Sequence, residues 1–220
     1  MAIPQIPPQN QTERLKDLEE LLRTAMDGRL AGLWTTVPGI VDSINSDGTA
    51  NVQPTTQGLV LTPSGKEQWI NMPLLLNCPI LRDGGGGWVI TFPVQAGDEV
   101  VVFCASRCIT NWFQKGGIQT QASLRMHSLS DGFVFCGPKS LPNKIPNISQ
   151  SSTQLRSLDG TQYLELATGG VINIVAPGGV HVTGPVIATG EGTFNGGHTV
   201  SAHKHTGVTT GSGVTGVPEL

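Results

Sequence analysis

The chain has 220 residues, a formal net charge of −3, 29 glycines and 15 prolines, with only 13% charged and 5% aromatic residues. That mix is unlike a helical enzyme and suits an elongated β structure or a polar, partly disordered chain. There is no run of Lys or Arg of the kind a nucleic-acid binder carries, and no apolar run near the roughly 18 residues of a membrane helix.

The N-terminus, MAIPQIPPQNQ, lacks the basic start and apolar core of a secretory signal. Synthesis in a reducing cytoplasm is expected. Cys78, Cys104, Cys108 and Cys136 fit no zinc-knuckle spacing and read as small apolar side chains of a β core.

Residues 1–9 are proline-rich and extended. Asn10 to Glu13 forms a capping box, and Leu15, Leu18, Leu22 and Ala25 follow at a/d spacing. This predicts a short amphipathic helix ending near Gly28. Such a helix is marginal alone. Its apolar stripe needs its own domain, a second copy or a partner protein to pack on.

From Thr35 to about Gly137 the pattern is β. Gly39–Ile44 and Thr49–Pro54 are strands joined by Asn45-Ser-Asp-Gly48, an Asp-Gly hairpin turn. Leu74–Leu76, Val89–Phe92 and Val100–Phe103 are further strands, and Asp83–Gly87 is a flexible glycine spacer between two of them. Five or so strands in about 100 residues suit an OB-like closed barrel. Residues 138–157 read as a proline- and serine-rich linker.

Beyond it, Leu164/Leu166, Ile172/Ile174 and Val180/Val182 are in-out-in pairs stepping by eight residues, with Gly169-Gly170 and Gly178-Gly179 at the corners. This period reads as a β-solenoid. Three short rungs cannot enclose a core alone, so several copies would each supply one face of a shared prism, most simply around a three-fold axis. An antiparallel meander on the barrel is the other reading.

Near the C-terminus, His203-Lys204-His205 places two imidazoles on one side of an extended segment, roughly 6.5–7 Å apart. In one chain two nitrogens fall short of zinc's usual four ligands, and the pair then reads as a solvated tail. Around a three-fold axis, two imidazoles per chain make an octahedral set of neutral nitrogens. That set suits Fe(II), with Ni or Co as chemical alternatives. It leaves no open position, so the site would be structural. His127, His181 and His198 lie outside this spacing and read as structural or surface residues.

Two regions carry a resemblance. The first is Ala96–Phe103, Arg107–Trp112 and Arg125–Gly132; the second is Ser201-Ala-His203-Lys-His205 with the glycine-rich sequence to Pro218. In these the chain resembles the central spike proteins of contractile-tailed bacteriophages, which pierce the outer membrane from the baseplate tip. The resemblance covers about 35–220 and implies a mainly β homotrimer: an OB-fold domain (33–140), a linker (141–157), an intertwined triple-stranded β-helix (158–197) and a metal-binding apex (198–220), preceded by the extended segment and short amphipathic helix read above (1–32). It implies one iron ion per trimer held by His203 and His205 of each chain.

The implied partners are the baseplate hub, the tail tube and, on infection, the host outer membrane, with no nucleic acid and no small-molecule substrate. The implied location is the tail tip of the virion. No pair of catalytic carboxylates in a helical domain is evident, so no enzymatic activity is expected. The alternatives are an OB-fold binding or assembly-hub module of a contractile injection system or prophage without a piercing role, and a cell-wall hydrolase.

Overall fold

The computed structural model describes residues 18–194, 198–199 and 211. The chain divides into two compact units, Met1–Ile145 and Pro146–Leu220.

The first unit begins with helix α1 (Leu18–Ala31). It runs through Gly28 rather than stopping there, because nothing crowds that position and a helix-interior glycine costs only about 1 kcal/mol. The capping box at Asn10 lies outside the described residues. No residue of α1 is buried, so it does not pack on its own domain. The chain after the helix is held by the Trp34 amide, which donates to the His127 carbonyl at 3.0 Å.

Strands β1 (Thr36–Ile44), β2 (Ala50–Pro54), β5 (Leu75–Cys78), β8 (Glu99–Cys104) and β9 (Gly132–Cys136) form one sheet in the order β5-β2-β1-β8-β9. Inward positions alternate as valines. Val37, Val41, Val52, Val100, Val102 and Val134 are each 2% exposed or less. β-branched side chains at period two fill one face of a pleated sheet and set its register. A bulge at Asp42, between the Val41–Val52 and Ser43–Asn51 pairs, sharpens the curl. The two edges then meet. The Val134 amide donates to the Pro79 carbonyl, and the Leu81 amide to the Val134 carbonyl, both at 2.8 Å. This parallel bridge curls the sheet into an OB-like fold.

Two hairpin arms leave the sheet. The first, β3 (Gln57–Leu61) with β4 (Glu67–Asn71), was not foreseen in the sequence. The second, β6 (Gly84–Gly85) with β7 (Trp88–Val89), replaces the glycine spacer and shortens the strand expected over Val89–Phe92. Its two loop residues both have positive φ, 58° at Gly86 and 87° at Gly87, the geometry of a two-residue type I′ turn. A short helix α2 (Thr110–Lys115) lies between β8 and β9.

The second unit holds an antiparallel sheet of β10 (Thr153–Arg156), β11 (Tyr163–Leu166) and β12 (Ile172–Val175). Strand β10 falls inside the stretch read as linker. The eight-residue step is realised within one chain as a meander, with Leu164 opposite Ile174 and Leu166 opposite Ile172. Val180 and Val182 lie outside any strand. A backbone pair of β13 (Thr193–Phe194) with β14 (His198–Thr199) follows.

The inner face of β9 has no room to spare. A Cβ at Gly132 would stand 2.5 Å from Val102 Cγ1. Gly132→Ala is expected to lower stability by about 1–3 kcal/mol through overpacking, measurable as a reduced urea midpoint at unchanged slope.

Candidate functional site

The segments singled out in the first unit converge on one buried charge. Asp131 is 1% exposed and sits in the 3-10 turn Leu129–Asp131 that leads into β9. Arg125 donates to both of its carboxylate oxygens, Nε to Oδ2 at 2.5 Å and Nη2 to Oδ1 at 2.8 Å. The Ile109 amide donates to Oδ1 at 2.9 Å. Arg125 Nη2 also reaches Thr110 Oγ1 at 3.0 Å, and the Ala105 amide donates to the Asp131 carbonyl. A bidentate guanidinium suits a desolvated carboxylate, because its fork matches both oxygens. The pin therefore ties the loop between β8 and β9, with α2, to the curled sheet.

Burial is the largest influence on Asp131 and pushes its pKa up. The Arg125 bonds, the Ile109 amide and the Arg125 charge together outweigh it and hold the carboxyl below its ordinary range. Glu99 plays a similar part on the rim. Ser140 Oγ and the Ser140 amide donate to it at 2.6 and 2.7 Å, and Asn143 Nδ2 at 2.8 Å; these bonds, the Ser140 hydroxyl foremost, lower its pKa.

Beside the Asp131 pin is a cleft of about 450 Å³ whose walls include Asn77, Cys78, Thr110, Phe113 and Ser130. Burial first, and the neighbouring Cys104 second, push the Cys78 thiol up to about 11. A thiol so protonated is a poor nucleophile at neutral pH.

In the second unit the two sheet faces differ sharply. The polar face satisfies itself: Ser152 Oγ, Gln154 Nε2 and Asn173 Nδ2 all donate to the Glu165 carboxylate. These three donors, Ser152 first, lower its pKa. The opposite face carries Leu155, Leu164, Leu166, Ile172 and Ile174, which are 42–62% exposed. The strand register makes cross-strand rows of them, Leu155–Leu164–Ile174 and Thr153–Leu166–Ile172. Arg156 anchors the start of this sheet. Its guanidinium donates to the carbonyls of Asn147 at 2.6 Å and Pro146 at 3.0 Å, and it lies across Gly160, where a Cβ would collide with it.

His203 and His205 lie outside the described residues. His198 contributes backbone to β14, and His181 is exposed. Among the described residues no group of three or more His, Cys, Asp or Glu could hold a metal ion, and no helix is long and apolar enough to cross a membrane. Sequence reasoning missed the Arg125–Asp131 pair, although both residues stand in a segment it quoted. The only available signal was two opposite charges in a stretch otherwise short of them.

Residues 37–137 match a family described as the phage protein Gp138 N-terminal domain. The matched stretch runs from β1 to just past β9 and includes both hairpin arms. It supports a phage structural protein and hence a component of the virion. No match is found among curated proteins.

Replacing Arg125 with Met strands the Asp131 carboxylate. Because the Arg125 side chain is about one-third exposed, the expected loss lies below the roughly 3–5 kcal/mol of a fully buried pair, at about 2–3 kcal/mol at pH 7. A lowered folded-state pKa stabilises above the ordinary aspartate value of about 4 and ceases to as pH falls through the lowered value. The gap between wild type and Arg125→Met should therefore be widest near neutrality and close on acidification. Urea titrations between about pH 3 and 7 check it; a pH-independent gap would count against the pin.

Proposed function

We propose that this chain is the central spike at the baseplate tip of a contractile phage tail, a homotrimer that pierces the host outer membrane. The observation that carries the trimer is the sheet Thr153–Val175. Its polar face is satisfied within the chain, while its leucine and isoleucine face is bare. Three such faces turned inward would cover one another and form a prism core. The open edges of β10 and β12 would also gain neighbours. The family match to residues 37–137 supports the phage setting, where this OB-like unit would attach to the hub and tail tube.

The mechanism is mechanical. Sheath contraction drives the tube, and a narrow rod concentrates the force on a small area. A rod of shared strands resists fraying because each chain's edges are paired by the next. His203 and His205 of three chains would supply a neutral imidazole set suited to octahedral iron and ill suited to zinc. Bound there, the ion would clamp the chain ends without catalysing a reaction.

An assembly-hub module without piercing is the second reading, favoured by the fact that the match covers only the first unit. Leakage of outer-membrane vesicles on sheath contraction separates the two.

Native mass spectrometry with metal analysis tests the proposal. A trimer with one iron per three chains is expected, and a metal-free monomer would sink it. The double change His203→Ala, His205→Ala should abolish the iron and leave the trimer assembled, because the prism buries far more surface than the clamp. Monomers from that variant would show that the clamp, not the sheet, holds the chains together.

A further inference from the structure

Helix α1 carries an apolar face that stays exposed among the described residues. At 3.6 residues per turn, Leu18, Leu21, Leu22, Ala25, Met26 and Leu30 share about half its circumference. Leu18 is 68% exposed, Met26 64% and Leu30 60%. The opposite half bears Glu20, Arg23, Thr24 and Asp27. A 14-residue helix is marginal in water without a packing partner.

We infer that α1 packs against the same face of α1 in other copies of this chain, as a short parallel helix bundle. Three features favour a copy over a foreign partner. Charge is the first. The helix holds Glu19, Glu20 and Asp27 against Arg23 and Arg29, a net of −1, and Glu19 is bridged to Arg23 at 2.6 Å. Copies therefore repel little, and no excess of one sign selects an oppositely charged partner.

Area is the second. The open side chains leave on the order of 500 Å² of apolar surface per helix, so three copies side to side bury roughly the area of a standard protein interface. Shape is the third. Ala25 sits among the larger residues of the stripe and lets backbones approach. Two charged residues share that half, one in each end turn: Glu19 lies at its edge and is bridged to Arg23, and Arg29 lies on its midline in the last turn, where its long stem can pack along the stripe while the guanidinium reaches the C-terminal end and complements the helix dipole.

The bundle rests on the homotrimer proposed above, and the experiment separates the two. Ala25→Cys and, on the polar half, Thr24→Cys are made in the full-length protein and oxidised beside wild type, which controls for the four native cysteines. Native mass is measured on the same samples. The expected result is a trimer in which Ala25→Cys forms a disulfide-linked pair of chains roughly tenfold faster than Thr24→Cys, reflecting a high local concentration across the bundle. A trimer in which Ala25→Cys links no faster than Thr24→Cys overturns the bundle and leaves the trimer standing. A monomer overturns both.

Discussion

The first unit depends on a single desolvated carboxylate. Its core is mostly valine, which fills the sheet's inner face but cannot hold a long connection in place. The connection between β8 and β9 spans residues 105–131 and contains one short α-helix and the 3-10 turn that ends it. Asp131 is where that excursion returns. Its side chain takes Arg125 and the Ile109 amide, its carbonyl takes the Ala105 amide, and the next residue enters β9. The β9 strand then supplies Val134, whose backbone joins the two edges of the curled sheet. Closure of the fold and seating of the loop thus run through neighbouring residues. A buried ion pair is weak as a source of net stability, but losing one partner leaves an uncompensated buried charge, so the loop is held to the arrangement that keeps the pair together.

The second unit solves the same problem by opposite means. Its Glu165 sits on a face where side-chain amides and a hydroxyl saturate it, and the apolar residues of the sheet have no inner side to occupy. Three four-residue strands are too few to curl over them. The sheet is locally complete in its hydrogen bonds and incomplete in its burial. Helix α1 shows the same imbalance on a smaller scale. A chain that leaves both surfaces bare reads as one part of an assembly, and this is the physical basis of the proposed trimer.

Much of the curled sheet was legible in the sequence. Val100 to Phe103 and the Asp-Gly turn at Asp47-Gly48 are local signals, and each led to the element observed. The leucine and isoleucine pairs at 164–174 also became strands. Other features depended on partners distant in sequence. The β3–β4 arm has no alternation to betray it: Gln57-Gly-Leu-Val-Leu and Glu67-Gln-Trp-Ile-Asn mix both residue classes on both faces. The four glycines at 84–87 read as a spacer because glycine permits either outcome, and only the flanking strands decide for a turn. Gly28 misled for the converse reason, since a helix tolerates it where nothing else stops the chain. The Asp131 pin joins a loop residue, a turn residue and a distant amide, a combination that no periodicity encodes.

The meander of the second unit also bears on how the protein is made. Its strands pair with their immediate neighbours through tight turns, such as the one in which the Ser157 amide donates to the Gln162 carbonyl. Contacts of such short sequence separation form quickly and need no second chain. In the proposed trimer each chain could therefore present a finished sheet soon after synthesis, and the slow step would be the encounter of chains. The rate of assembly would then follow how many copies are translated close together, with the exposed leucine face at risk of aggregation until the third chain arrives.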